Sequence, residues 1–249
     1  MTNKRRKFIH GWRPDQHDGR DHLYMMIGKP AQLPPSIDLR GAMPAVYDQG
    51  QLGSCTGNAI AGAIDYANGP GGLMPSRLFI YYNERVKEGT VRQDAGAMIR
   101  DGIKSVNQLG VCPELDWPYD ISKFKQKPPK AAFADALNKK VSSYARITSL
   151  QSMRTCLAYD NKPFVFGFAV YESFESQAVA DSGRLEMPTP GERLLGGHAV
   201  LCVGYDDDSR RMIVRNSWGS SWGINGYFTM PYDYITNPKL ADDMWAITL

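Results

Sequence analysis

Helical periodicity in this chain is concentrated in its first half and strand patterning in its second, and that order limits the folds open to it. Ser54-Cys55-Thr56-Gly57-Asn58 leads into AIAGAIDYA, with Ile60, Ala63, Ile64 and Ala67 on one face. Ser76 reads as the cap of a second helix carrying Leu78, Phe79, Tyr82 and Val86. A third helix runs from about Ala97 to Leu109 and stops at Gly110. Beyond residue 140 the runs 141–148, 163–170, 198–206, 211–216, 226–230 and 243–248 are rich in Val, Ile, Phe and Tyr. Gly, Asp, Ser and Pro clusters separate them, and one more helix is expected near 150–158. Helices first and strands second predict an α+β arrangement of two lobes with a cleft between them. The helical lobe spans about 37–135 and the β lobe about 136–249. The 249 residues suffice for a core without disulfides or metal. The longest apolar run, Pro163 to Val170, is far short of the ~18 residues of a membrane span.

Residues 1–36 are different. They show little periodicity, end at Pro34-Pro35, and place the start of the compact domain near Ile37. The net charge of the whole chain is +3. Residues 1–22 supply all of it, with six basic residues (Lys4, Arg5, Arg6, Lys7, Arg13, Arg20) against Asp15, Asp18 and Asp21. A balanced body argues against a dedicated nucleic-acid-binding domain. Lys4-Arg5-Arg6-Lys7 is a candidate site for an anion or phosphate-bearing ligand, although such runs are more often solvated surface. His10, His17 and His22 alternate with the three aspartates at spacings that fit no common metal site, so no metal or cofactor is expected. No apolar stretch follows the basic start, so no cleavable signal is read. With four dispersed cysteines, this points to the cytoplasm or to export by another route.

Chemistry-bearing residues are scarce. His198 is the only histidine outside the N-terminal segment, and Gly196-Gly197 precede it at the mouth of an apolar strand, where an exposed imidazole on a rigid element is expected. Cys55 falls in the first turn of a helix, where the helix dipole favours a thiolate. Cys112, Cys156 and Cys202 have blander settings, and each reads as a small buried hydrophobe. A Cys–His pair needs a third group to orient the imidazole. Asn216, followed by Ser217-Trp218-Gly219 and Ser221-Trp222-Gly223, offers an amide oxygen for that purpose. The two tryptophans can shield the bond, though a turn asparagine and core packing are the commoner roles.

Together these residues resemble the papain-like cysteine peptidases, and most closely the bacterial branch of that family. Gln49-Gly50-Gln51-Leu52-Gly53-Ser54-Cys55 resembles the family's nucleophile segment, His198-Ala199-Val200 its histidine segment, and Asn216 to Phe228 its asparagine segment. The likeness covers about residues 36–249, with Cys, His and Asn in the family's order and near its spacing. It implies a two-lobed fold with a helical lobe and an antiparallel, β-barrel-like lobe. It also implies peptide-bond hydrolysis through an acyl-enzyme thioester, by a monomeric endopeptidase acting on peptide or protein substrates. Cys55 is then the nucleophile, His198 the base, Asn216 the orienting group, and Gln49 with the Cys55 N–H the oxyanion hole. Gly96, Gly197 and Trp218 are expected at the substrate or over the His–Asn bond. Asp94-Ala95-Gly96-Ala97 keeps one of the family's two glycines there, and Leu52 stands where secreted relatives carry a disulfide cysteine. Residues 1–36 do not resemble the family's usual long propeptide with its helical inhibitory motif. Residues 1–36 are expected to lie across the surface and partly cover the cleft. Acyl transfer of the transglutaminase type is disfavoured by Asn216 in place of an acid, and a non-catalytic binding role by the intact Gln49, Cys55, His198 and Asn216.

Overall fold

The computed structural model describes residues 9–25 and 32–249. The proposed anion site at Lys4–Lys7 lies outside the described residues. Helices α1 (Cys55–Asn68), α2 (Arg77–Lys87), α3 (Ile99–Leu109) and the short α4 (Lys130–Ala136) come first. The later α5 (Leu150–Ala158), α6 (Gln177–Ser182) and α7 (Tyr232–Ile235) punctuate the strands. α1 is buried from Cys55 to Asp65. Its alanines and glycines let neighbouring elements approach closely, and the polar Thr56 and Asp65 within it are hydrogen-bonded to Glu84 and Tyr47. Ser76 caps α2 by accepting the Phe79 N–H, and Ser149 caps α5 by accepting that of Ser152.

The strands are β1 (Ser36–Asp38), β2 (Ser143–Arg146), β3 (Phe164–Tyr171), β4 (Leu194–Asp206), β5 (Arg211–Arg215), β6 (Tyr227–Pro231) and β7 (Ala241–Thr248). They form one antiparallel sheet in the order β2-β7-β3-β4-β5-β6, with β1 on the far end of β4. A barrel-like lobe was the expectation, but the sheet is open. Closure needs the first and last strands to pair. Here β2 pairs with β7 and β6 with β5, and among the described residues β6 otherwise makes only the isolated bridges Arg184–Thr229 and Ile224–Tyr227. β4 also starts earlier than its apolar run. Leu194, Gly196 and Gly197 already pair with Tyr171, Val170 and Ala169 of β3.

One buried cluster runs from α1 and α3 (Ile60, Ile64, Ile103) through the phenylalanines of β3 to Trp245 of β7. A smaller one joins Leu52, Leu78, Tyr81 and Ala97. Gly110 ends α3 at φ +76°, and a Cβ there would sit 1.7 Å from the Ala136 carbonyl oxygen. Gly110→Ala is therefore expected to cost about 3 kcal/mol or more, from left-handed strain plus a backbone collision. Urea unfolding should show a lower midpoint at unchanged slope.

Candidate active site

Cys55 begins α1, with its thiol fully buried beside the backbone N–H groups of Ala199 and Gly11. His198 lies on β4, and its Nε2 is 2.8 Å from Asn216 Oδ1, just past the end of β5. That oxygen also accepts the Ser217 N–H at 2.8 Å. An amide oxygen carries no hydrogen and can only accept, so Nε2 carries the ring proton and Nδ1 holds the free lone pair. Nδ1 is buried, with no hydrogen-bond partner among the described residues. Trp218 stacks on the imidazole with ring centroids 4.9 Å apart, and Trp222 packs edge-on against Trp218. Gln49 is positioned from both ends of its amide. Its Oε1 accepts from Ser217 Oγ at 2.7 Å, and its Nε2 donates to the Leu52 carbonyl at 2.9 Å.

Residues 9–13 run through this cleft. The Ile9 carbonyl accepts from Gln49 Nε2 at 3.2 Å. The Ala97 N–H donates to Gly11 O at 2.7 Å, and the Arg13 N–H to Ala97 O at 3.0 Å. On the opposite wall the Trp12 N–H donates to Gly197 O at 2.9 Å. Gly96, at φ +68°, admits the segment because a Cβ there would meet Gly11 O at 2.0 Å. Gly96 and Gly197 thus touch an extended backbone, whereas Trp218 is buried over His198.

The segment also overturns two expectations. His198 is fully buried instead of exposed at a strand mouth, because β4 extends past it and residues 9–13 cover it. Burial lowers its pKa to about 3, outweighing the Asn216 bond. The Cys55 thiol is not favoured as a thiolate. Burial pushes it up to about 12, more than neighbouring N–H groups can offset. With the segment docked, the thiol and imidazole are both neutral.

A second cluster, absent from the sequence reading, pins the segment down. Asp15 Oδ1 accepts the Arg100 N–H at 3.1 Å, and its Oδ2 accepts Trp245 Nε1 at 2.9 Å. Asp243 Oδ2 accepts Trp12 Nε1 at 3.0 Å and the Asp15 N–H at 2.7 Å, while its Oδ1 binds Arg146 at 2.8 Å. Asp21 joins Arg100 at 3.1 Å. The one local signal was the unusual run Gly11-Trp12-Arg13-Pro14-Asp15, whose partners Asp243 and Trp245 lie more than 200 residues away.

Comparison with known proteins now bears on this arrangement. The family model for papain family cysteine proteases matches residues 83–247, which include His198 and Asn216 and begin after Gln49 and Cys55. The chain belongs to the papain family of cysteine proteases. The crystal structure of xylellain, a cysteine protease from Xylella fastidiosa, is 45% identical. It superposes with a TM-score of 0.89 over 100% of this chain and 98% of that one. An uncharacterized peptidase C1-like protein of Acanthamoeba polyphaga mimivirus is 47% identical over 80% of this chain and 68% of its own length. Cysteine proteinase 3 of Entamoeba histolytica is 28% identical over 80% of this chain and 63% of its own. Among the described residues, no helix is long and apolar enough to cross a membrane.

Proposed function

We propose that the chain is an endopeptidase using Cys55, His198 and Asn216, and that its own N-terminal segment closes the cleft. What carries this reading is the extended backbone of residues 9–13, hydrogen-bonded to Ala97 on one wall and Gly197 on the other, directly over Cys55. A site that holds its own chain in that way holds a peptide substrate by the same groups.

With the segment displaced, water returns and the burial that keeps both groups neutral is relieved. Nδ1 of His198 then accepts the Cys55 proton, because Nε2 is committed to Asn216. The thiolate attacks the substrate carbonyl carbon. The oxyanion forms between Gln49 Nε2, the donor now occupied by Ile9 O, and the Cys55 N–H. As the C–N bond breaks, the imidazolium gives its proton to the departing amine, leaving a thioester. Water, deprotonated by the same nitrogen, attacks the thioester, and the proton returns to Cys55 sulfur as the acid leaves. Trp218 keeps water from the His–Asn bond throughout.

The test is inactivation by a peptidyl epoxide of the E-64 type, followed by peptide mapping. Time-dependent loss of dipeptidyl-coumarin hydrolysis, with the adduct on Cys55 alone, is expected. Hydrolysis that survives complete labelling of Cys55 removes the assignment.

A further inference from the structure

Two parts of the cleft must keep a fixed distance for the chemistry to work. One is the turn ahead of α1, which carries Cys55. The other is the rim at Gly96-Ala97, where Ala97 holds an extended backbone through both its N–H and its carbonyl. One carboxylate and one phenol join them. Both oxygens of Asp94 accept the N–H of Gly53, two residues ahead of Cys55, at 3.0 Å. Asp94 Oδ1 also accepts the Tyr81 O–H at 2.5 Å, and the Tyr81 oxygen accepts the Gly96 N–H at 3.2 Å. Tyr81 is fully buried on α2, so its oxygen keeps one place beneath the rim. Arg85, one turn further along α2 and also fully buried, lies over the Tyr81 ring at 4.1 Å from its centroid. It donates to the Val91 and Gln93 carbonyls at 2.8 and 3.2 Å. The backbone leading into Asp94 is thus held by the same helix that holds Tyr81. Gly53 admits the contact, since a Cβ there would lie 3.0 Å from Asp94 Oδ1.

The docked segment touches both walls as well, with Gly11 between Gly53 and Ala97, but it has to leave before a substrate enters. The Asp94–Tyr81 couple stays. We infer that Asp94 and Tyr81 are positioning residues that set the distance between the Cys55 sulfur and a peptide held at Ala97. Losing Asp94 orphans the buried Gly53 N–H, and losing the Tyr81 oxygen orphans the buried Gly96 N–H. Either loss frees the two walls to drift apart. A misplacement of about 1 Å at reacting atoms costs up to about a hundredfold in rate. This inference rests on the peptidase reading above.

The experiment uses the full-length chain opened by Gly11→Val, with three readouts. Dipeptidyl-coumarin hydrolysis and inactivation by a peptidyl epoxide need both the thiol and the rim. Alkylation by iodoacetamide needs the thiol alone. Tyr81→Phe and Asp94→Ala should each lower kcat and slow the epoxide by about tenfold or more, with KM and iodoacetamide alkylation changed by less than about threefold. Asp94→Asn keeps an oxygen for the Tyr81 O–H and should recover part of the loss. Because the two residues act as one unit, Tyr81→Phe combined with Asp94→Ala should lose little more than the worse single variant. Iodoacetamide slowed as much as the epoxide overturns the inference, because the thiol itself is then disturbed. An unchanged kcat in Asp94→Ala, or losses that multiply in the double variant, also overturns it. Asp94 is exposed at the cleft edge, so its variants decide the matter even where Tyr81→Phe fails to fold. Absence of Cys55-dependent turnover in the Gly11→Val parent overturns the peptidase reading itself, a different result from turnover indifferent to Asp94 and Tyr81.

Discussion

Gly11→Val in the full-length chain is expected to raise peptide hydrolysis by about two orders of magnitude over the unmodified protein. A Cβ on Gly11 would lie 1.9 Å from the Gly53 carbonyl oxygen, and the Gly96 loop presses on the segment from the other side. Both obstacles are backbone, so neither yields cheaply. The displaced segment loses its bonds to Ala97, Gly197 and Gln49 together. At about 0.7 kcal/mol net for each hydrogen bond, losing these four, two of them to Ala97, shifts the docking equilibrium roughly a hundredfold. The thiol and imidazole regain water, and the Cys55 pKa falls from the value of about 12 imposed by burial. Adding Cys55→Ala to the same chain should return turnover to background. Alkylation by iodoacetamide provides a readout independent of catalysis, and it should quicken by a similar factor in Gly11→Val. A folded Gly11→Val protein with unchanged alkylation and turnover would show that residues 9–13 do not limit access to Cys55.

Local chemistry was what the sequence displayed well. Helix α2 with its Ser76 cap, α5 near 150–158 and the apolar strand β3 all follow from periodicity and capping within a few residues. The residues grouped around the cleft were readable because each sits in a short motif of its own. Three features escaped for one reason, that they depend on distant contacts. The first is the start of β4, where Gly196-Gly197 reads as a break, yet pairing with β3 carries the strand through it. The second is the state of Cys55. The helix dipole offers about 1 kcal/mol toward the thiolate, and burial under a segment more than 40 positions upstream outweighs it. The third is the aspartate cluster, since nothing near Asp15 in sequence announces Asp243. Short helices such as α6 and α7, only one or two turns long, carry too few residues for a period to appear.

That cluster leads to the second large expected effect, a cleft that closes more tightly in acid. The buried Asp15, Asp21 and Asp243, with the half-exposed Asp242 at their edge, converge on Arg100 and Arg146, so acidic groups outnumber basic ones. Burial, then the nearby Asp243, raises the Asp15 pKa to about 7 in the docked segment, despite the Trp245 and Arg100 hydrogen bonds. Burial raises Asp243 in the same direction. In a released segment Asp15 is hydrated and returns to an ordinary carboxylate value near 4. The docked state therefore binds a proton more tightly than the released one. Its contribution to docking is fully present below about pH 4 and is lost as pH rises through about 7. Cys55 alkylation in the unmodified chain, divided by that in Gly11→Val at the same pH, cancels the thiol's own titration and isolates docking. This ratio should rise on the order of tenfold between pH 5.5 and 8.5. Asp15→Asn keeps the shape without the charge and should flatten most of the rise. A ratio that falls with pH, or a rise untouched by Asp15→Asn, would remove the buried aspartates from control of the cleft.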